Sequence, residues 1–294
     1  MKLGLVLPVF TDHPRKVLDF AARAEALGFD GVFAADHLYP PMGPSFPSVE
    51  VFSTLAAVAA RSERLTVGTL VARVGLRAPG LLAKETAAID AMTGGGRTVL
   101  TLGAGDKVSL GEHEMFGFAH LGVEDRRARL EETVCALKAL FAGERWPGGA
   151  WTTSMTGPLV PPPPSAGGPP IWIGGVGDEM VRIAGRVADG WNGWGLEADG
   201  FATKTALLRE AAQGRAVAPT WGGITLVARD RDELDSLLAA RAEKGLSVGP
   251  VWSGTAEDLR AFVSRLGDLG ADWAIFLPAG PADRIELIAE TLRG

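Results

Sequence analysis

Apolar and polar positions along the chain repeat one unit, in which an amphipathic helix ends at a glycine and a short apolar strand follows. The unit is clearest in "FAARAEALGFDGVFAAD" and returns in "FVSRLGDLGADWAIFLP". In both stretches, apolar residues at helical spacing lead to Gly28 or Gly270, and glycine readily takes the left-handed conformation that ends a helix. The pattern therefore predicts alternating helices and strands.

Applied to the whole chain, the pattern predicts strands that are apolar on both faces, which is typical of a parallel sheet covered by helices. The predicted strands are Leu3–Pro8, Asp30–Ala35, Leu65–Val71, Thr98–Gly103, Pro170–Gly174, Gly190–Trp194, Gly223–Ala228 and Asp272–Leu277. The predicted helices lie at about Pro14–Leu27, Val49–Ser62, Gly80–Met92, Arg126–Phe141, Glu179–Val187, Phe201–Ala212, Asp232–Lys244, Ala256–Leu269 and Ala282–Leu292.

Eight strand and helix units in 294 residues fit a (β/α)₈ TIM barrel better than an open sheet. Two irregular stretches interrupt the repeat, Ala104–Asp125 after the fourth strand and Gly143–Gly168 before the fifth. The second contains "PLVPPPPSAGGPP", a stiff proline-rich segment rather than a flexible linker between domains. We therefore expect a single barrel domain over residues 1–294.

Composition narrows the classes of partner and compartment. The apolar fraction of 47% suits a well-packed globular protein, and the formal charge of −6 provides no basic surface for nucleic acid or anionic membranes. The opening "KLGLVLPVF" is too short for a signal-peptide core, and no apolar run approaches the roughly 20 residues that span a bilayer. We expect a cytoplasmic protein with a small-molecule substrate.

The end of the second strand, "GVFAADHLYPP", is the first candidate site, because the active site of such a barrel lies at the C-terminal ends of its strands. His37 could bind or protonate a ligand near neutral pH, and Asp36 could fix the loop or tune the imidazole. Alternatively, Asp36 caps the following turn and His37 packs under the prolines. The pattern alone leaves both interpretations open.

The fourth strand ends in "LGAGDKVSLGEHEMFGF". Gly103 and Gly105 would let a flat ligand approach the backbone, and Asp106 adds a carboxylate. The alternative is a tight turn that starts a surface loop, with the charges of Glu112–Glu114 in solvent.

The fifth strand ends in "PIWIGGVGDEMVRIAGRV", a strand followed by a glycine-rich turn and a helix. This order places the backbone N–H groups of Gly175, Val176, Gly177 and Asp178 where a helix N-terminus can bind a phosphate. The stretch lacks the full dinucleotide fingerprint, and Asp178 and Glu179 could simply be capping acids.

Metal-dependent and covalent mechanisms have little support in the sequence. None of the four histidines forms a pair with ligand spacing, and no serine lies in a nucleophile-elbow motif. Cys135, the only cysteine, lies in "LEETVCALKALF", which fits the packed face of a helix. We expect no metal and no catalytic cysteine.

These stretches together resemble the luciferase-like monooxygenase superfamily and, within it, the coenzyme F420-dependent oxidoreductases. The resemblance covers nearly the whole chain and rests on the order and spacing of "LGFDGVFAADHL", "LTVGTLVARVGLRAPGLLAKETAAIDAMTGGGRTVLTLGAGD", "EHEMFG", "RLEETVCALKALF" and "PPIWIGGVGDEMVRIAGRVADGWN". Members of the superfamily are (β/α)₈ barrels that bind a flavin or deazaflavin ring at the C-terminal mouth, so the resemblance implies the same arrangement here.

The resemblance also implies roles for residues at the second and third strand ends. Asp36 and His37 match the Asp-His pair that lies beside the ring and the substrate pocket. The match to "GTLV" implies a non-proline cis peptide between Leu70 and Val71, which forms a bulge behind the ring.

Further roles follow for the fourth and fifth strand ends. Gly103, Ala104 and Gly105 match the turn near the cofactor, and Asp106 falls where some deazaflavin enzymes carry a proton-donating glutamate. The turn at Gly175–Gly177 matches the one that holds the cofactor phosphate.

The function implied by the resemblance is hydride transfer between coenzyme F420 and a small organic substrate, with His37 and Asp106 in the proton step. The alternative is an FMN-dependent monooxygenase that uses oxygen, and a third interpretation is a barrel that binds a flavin without turnover. Pro41 stands where the deazaflavin sugar-phosphate dehydrogenases carry a tryptophan, which argues against that substrate.

Two expectations concern the substrate and a partner subunit. The loops Tyr39–Ser48 and Lys107–Glu124 carry Tyr39, Met42, Phe46, Met115 and Phe116, which predicts a largely apolar substrate. Relatives commonly form homodimers through helices near the second and third strands, and "VFSTLAAVAARSERL" is apolar enough for that contact. The same segment would equally suit a helix packed on its own barrel.

Overall fold

The computed structural model describes residues 1–107, 109–245 and 251–294. The strands are β1 (Lys2–Val6), β2 (Gly31–Ala34), β3 (Thr66–Thr69), β4 (Ala72–Arg73), β5 (Thr98–Gly103), β6 (Ile171–Gly174), β7 (Gly190–Trp194), β8 (Ala218–Ala228), β9 (Val251–Thr255) and β10 (Trp273–Pro278). The helices are α1 (Pro14–Ala26), α2 (Val51–Ala59), α3 (Pro79–Met92), α4 (Leu110–Phe116), α5 (Val123–Phe141), α6 (Asp178–Val187), α7 (Ala198–Ala212), α8 (Arg231–Glu243), α9 (Ala256–Asp268) and α10 (Arg284–Arg293).

The parallel strands close into a barrel. Their order is β1, β2, β3, β5, β6, β7, β8 and β10, and β10 pairs with both β8 and β1. This arrangement confirms the predicted (β/α)₈ barrel, and each of the eight predicted strands is present. The helices between successive strands cover the outside of the sheet, as expected for strands that are apolar on both faces.

Three elements were not predicted, and each has a local reason. Strand β4 has two residues, too few to show a period. Helix α4 has seven residues in a glycine-containing stretch, so it completes barely two turns. Strand β9 is partly exposed and pairs with the end of β8. In addition, β8 begins at Ala218 rather than Gly223. Its first half contains Pro219 and two glycines, which are uncommon inside strands, so the sequence pattern does not indicate a strand there.

Aromatic side chains fill the middle of the barrel. The Phe33 ring stacks on Trp172 with centroids 5.9 Å apart and meets Trp273 edge-on at 5.4 Å. Glycines on the neighbouring strands make room for these rings, since a Cβ on Gly4 or Gly68 would lie 2.9 Å from Phe33. Because this level of the barrel is filled, ligand space is left at the C-terminal mouth.

The third strand of the barrel is interrupted where it reaches that mouth. The peptide bond between Leu70 and Val71 is cis, as the resemblance implies, and pairing with β5 resumes at β4. Gly68 pairs with Val99 and Ala72 pairs with Leu102, so one extra residue lies on the interrupted strand. This bulge turns Leu70 and Val71 toward the mouth.

Thr69 bridges the bulge to β5. Its hydroxyl donates to the Thr101 carbonyl at 2.7 Å and accepts from the Thr101 amide at 3.0 Å. The side chain therefore replaces two backbone ladder bonds that the bulge removes.

The large apolar side chains of α2 are buried against the chain's own barrel, namely Val51, Phe52, Leu55 and Val58. This packing supports the interpretation of that segment as a helix on its own barrel, and homodimer formation stays a prediction. Within the described ranges, no helix is long and apolar enough to cross a membrane.

We expect Thr69→Val to lower the free energy of unfolding by about 1–3 kcal/mol, because an isosteric side chain leaves both polar groups of Thr101 buried without their partner. Thr86→Val is the matched control, since the buried Thr86 hydroxyl bonds only the Leu82 carbonyl of its own helix. Urea denaturation of both variants measures the difference. Equal losses in the two variants would contradict the bridging role.

Candidate functional site

A cavity of about 450 Å³ opens at the C-terminal mouth of the barrel, within the size range of small-molecule sites. The structure brings ten of the residues named from the sequence into its wall: Asp36, His37, Leu70, Val71, Gly103, Ala104, Gly105, Asp106, Gly175 and Val176. Gly177 and Asp178 lie outside the wall. The sequence interpretation missed other lining residues, namely Arg73, Gly174, Met180, Asn192 and Trp194.

Part of the wall is backbone rather than side chain. A Cβ added to Gly103 or to Gly174 would lie 2.5 Å from the Val71 side chain. Glycine is therefore required at both positions by the bulge, whose Val71 fills the space between β5 and β6. The result is an apolar surface against which a flat ring can lie.

Glu112 is the acidic partner of His37. Its carboxylate is 1% exposed and accepts from His37 Nδ1 at 2.7 Å, from the Leu38 amide at 2.6 Å and from Arg73 Nη2 at 2.6 Å. An ionised carboxylate only accepts, so Nδ1 carries a hydrogen and Nε2 is the nitrogen left for a ligand. The interpretation in which the acids of α4 lie in solvent is therefore wrong for Glu112, and it is also wrong for the buried His113.

Burial by itself raises the pKa of the Glu112 carboxyl. The hydrogen bond and charge of His37, the hydrogen bond from the Leu38 amide and the charge of Arg73 all lower this pKa, and together they outweigh the effect of burial. The net pKa therefore lies below the ordinary value of a glutamic acid. Glu112 is ionised at neutral pH despite its burial.

Asp36 is held by arginines rather than by the following turn. Its carboxylate accepts from Arg77 Nη1 at 2.6 Å and from the Arg73 amide at 3.2 Å, and its carbonyl accepts from Arg73 Nε at 2.9 Å. Asp36 is 3% exposed and does not contact His37 in these hydrogen bonds. Its role in the fold is to join the end of β2 to β4, and the partner of His37 comes from α4 instead.

A second cavity, of about 400 Å³, adjoins the first and shares His37, Leu70 and Trp194 with it. Its remaining lining is entirely apolar: Val6, Leu7, Pro8, Val9, Phe10, Ala35, Pro41, Met42, Ile224 and Leu277. His37 is thus the polar group where the two spaces meet.

The loops expected to form the pocket contribute less than predicted. Met42 lines the apolar cavity, but Phe46, Met115 and Phe116 are each more than half exposed and line neither cavity. Tyr39 instead packs beside Gly111. The apolar wall comes mainly from β1 and the segment after it, and Val108 of the second loop lies outside the described residues.

Asp106 lines the first cavity but is exposed and engaged in a turn. Its Oδ1 accepts from the Ser109 amide at 3.1 Å and from the Ser109 hydroxyl at 3.2 Å. The structure therefore combines both interpretations of this carboxylate, since it closes a turn and borders the cavity.

The glycine turn after β6 leads into α6, which begins at Asp178. The Gly175 amide already donates to the Asn192 carbonyl at 3.2 Å, so it is committed to the protein. The amides of Val176, Gly177 and Asp178 lie at the helix N-terminus, where the first turn lacks intrahelical acceptors. The Asp178 carboxylate points away to an ion pair with Lys204.

Among the described residues, no group of three or more His, Cys, Asp and Glu could hold a metal ion. Burial raises the pKa of the half-buried Cys135 thiol, which disfavours its reactive thiolate form.

Comparison with known proteins gives a family match over residues 1–286, to the luciferase-like monooxygenases. An F420-dependent glucose-6-phosphate dehydrogenase of Nakamurella multipartita is 34% identical over 230 residues, covering 76% of this chain and 62% of the relative. The enzyme of the same name from Microbacterium testaceum is 30% identical over 229 residues, covering 78% of this chain and 64% of the relative. The alignment thus spans less than two thirds of either relative.

Among solved structures, an F420-dependent secondary alcohol dehydrogenase in complex with an F420-acetone adduct superposes with a TM-score of 0.85. The match covers 99% of this chain and 98% of that one, at 18% identity. At this identity the likeness establishes the fold.

Glu112→Gln should be less stable than the wild type by about 3 kcal/mol at pH 7, because the buried Arg73 loses its counter-charge. Since the folded pKa of Glu112 is lowered, its ionisation stabilises the protein above roughly pH 5, and this contribution is lost as the pH falls through the folded pKa. The difference in free energy of unfolding between the wild type and Glu112→Gln should therefore be constant above about pH 5 and should become smaller below that pH. Denaturation curves at several pH values measure it.

The control is Glu114→Gln, which changes an exposed acid two positions away. We expect no measurable change in stability at any pH. A wild-type advantage over Glu112→Gln that did not narrow in acid would show that Glu112 is not ionised in the folded protein.

Proposed function

Because the chain belongs to the luciferase-like monooxygenase family, we propose that it is a coenzyme F420-dependent oxidoreductase that transfers a hydride between the deazaflavin and a small, largely apolar organic substrate. The observation that carries this proposal is the position of His37. Its Nδ1 is held by a buried carboxylate, and its ring separates a glycine-walled cavity from an apolar one.

The residues of the first cavity fit a deazaflavin. Leu70, Val71 and the turn at Gly103–Gly105 supply a flat apolar wall for the ring. The N-terminus of α6 supplies amides and a partial positive charge for the phosphate. When bound, the deazaflavin supplies a hydride donor or acceptor, since carbon replaces nitrogen at position 5 of its ring.

The chain's own contribution is to position the reactants and move a proton. His37 Nε2 is placed to take a proton from a substrate hydroxyl or return one to a substrate carbonyl, while Glu112 fixes the tautomer and stabilises the imidazolium that forms. We assign Asp106 to the same step, as the carboxylate that borders the ring cavity. Trp194 and Leu70 line both spaces beside His37.

An apolar substrate suits the second cavity, in which His37 is the one titratable residue among the described lining residues. The relatives named glucose-6-phosphate dehydrogenases act on a phosphorylated sugar. A phosphate needs several donors or cations, and the described lining of this cavity contains no lysine or arginine. We therefore propose a different substrate class from theirs.

The cofactor is tested first, by titrating the purified protein with coenzyme F420 and with FMN and following the fluorescence of each. We expect F420 to bind with micromolar or tighter affinity and FMN to bind more weakly. A preference for FMN would favour the oxygen-dependent monooxygenase of the same family. Binding of neither cofactor would overturn the proposal.

His37→Ala should lower turnover by at least about 100-fold, the usual contribution of a general acid or base, while the F420 dissociation constant changes less than about threefold. Assays with a panel of apolar alcohols and ketones measure the first value, and fluorescence titration the second. His13→Ala is the control, because it changes an exposed histidine that lines neither cavity. Parallel loss of turnover and cofactor binding would assign His37 a packing role instead.

A further inference from the structure

Asn192 presents a hydrogen-bond acceptor to the first cavity that the protein itself does not use. The residue lies on β7, is 1% exposed and lines that cavity. Its Nδ2 donates to the Thr220 hydroxyl at 3.0 Å, whereas its Oδ1 has no donor among the described residues. Oδ1 is not fully buried, so a ligand in the cavity can reach it. An acceptor in such a buried side chain normally has a partner.

The orientation of the Asn192 amide is fixed by its neighbours. The Thr220 hydroxyl donates its single hydrogen to the Trp191 carbonyl at 3.0 Å, so it can only accept from Asn192. The amide nitrogen is therefore the atom that faces Thr220, and the carbonyl oxygen is the atom left for a ligand. A Cβ on Gly222 would lie 3.2 Å from both amide atoms, so glycine at that position leaves room for the amide.

The position of Asn192 connects this acceptor to the wall of the first cavity. Asn192 pairs with Gly174 across β6 and β7, and Gly174 is one of the two glycines that make room for Val71. The Asn192 backbone carbonyl accepts from the Gly175 amide at the start of the glycine turn. Asn192 does not line the apolar second cavity. The free acceptor therefore belongs to the space proposed for the deazaflavin ring and not to the space proposed for the substrate.

We propose that Asn192 Oδ1 accepts a hydrogen bond from the pyrimidine N–H of the deazaflavin ring, the N–H that lies between two ring carbonyls. The inference rests on the proposed use of F420. This N–H lies in the plane of the ring and cannot rotate, so it requires an acceptor at one fixed place once water is displaced. A neutral amide oxygen held by Thr220 provides that acceptor without burying a further charge.

The rest of the lining supports this role for Asn192. The side-chain oxygens of the described lining belong to Asp36, Asp106 and Asn192, and that of Asn192 is the one whose charge does not change with pH. A flat apolar wall by itself lets a ring slide, and a small number of fixed polar groups sets the orientation of a ligand in such a site. Asn192 is therefore a binding residue that holds one edge of the ring in place.

The test compares the dissociation constants of coenzyme F420 and of F420 methylated on that ring nitrogen, measured by fluorescence titration of the wild type, Asn192→Ala and Met180→Leu. In the wild type, we expect methylation to weaken binding by about tenfold or more, because it removes the donor. Asn192→Ala should weaken the binding of unmethylated F420 by about tenfold and change that of methylated F420 by no more than about threefold. Met180→Leu replaces an apolar residue of the same lining by one of similar size, so the full effect of methylation should persist.

Unweakened binding of unmethylated F420 by Asn192→Ala would overturn the proposal for Asn192, while F420 binding by the wild type upholds the cofactor assignment. Equal weakening of both ligands would assign the acceptor to another donor of the cofactor and would also overturn it. If the wild type does not bind F420, the proposed function itself fails. Should Asn192→Ala not fold, Asn192→Ser takes its place, because the shorter side chain withdraws the acceptor from the cavity. We then expect the same selective loss of unmethylated F420, and an unchanged effect of methylation would overturn the proposal.

Discussion

The arrangement of the mouth depends on one buried carboxylate. Glu112 accepts hydrogen bonds from His37 and the Leu38 amide after β2 and from Arg73 on β4, and both segments are far from α4 in the chain. Removing one partner of a buried ion pair typically costs about 3–5 kcal/mol, so the short helix α4 is fixed against the ends of β2 and β4. The imidazole and the guanidinium are oriented as a consequence of the same contact.

A second constraint acts on the opposite wall. The bulge at Leu70 and Val71 places an apolar side chain between β5 and β6, and Gly103 and Gly174 are the residues that leave room for it. The aromatic cluster around Phe33 fills the barrel below the mouth. Neither the bulge nor the ion pair of Glu112 and Arg73 can therefore move into the barrel interior. Together the two constraints leave the first cavity open at the mouth, with the apolar second cavity beside it.

His37 lines both cavities, so it is the residue that connects these structural features to the proposed function. On one side lies a wall suited to a flat cofactor, and on the other a lining whose described residues include no Asp, Glu, Lys or Arg. Under the proposed function, hydride transfer requires the protein mainly to hold two reactants together and to manage a proton. A histidine whose tautomer is fixed by a buried acid meets the second need, and the shape of the mouth meets the first.

The sequence by itself determined the barrel, because eight apolar strands alternating with amphipathic helices leave few other ways to bury both faces of a sheet. It also indicated the strand ends that carry Asp36, His37 and Gly103, since the C-terminal ends of parallel strands converge. The tertiary structure alone decided that Glu112, not Asp36, is the partner of His37, and that Arg73 and Trp194 line the mouth. Those contacts join residues up to 75 positions apart, and local periodicity carries no information about such distances.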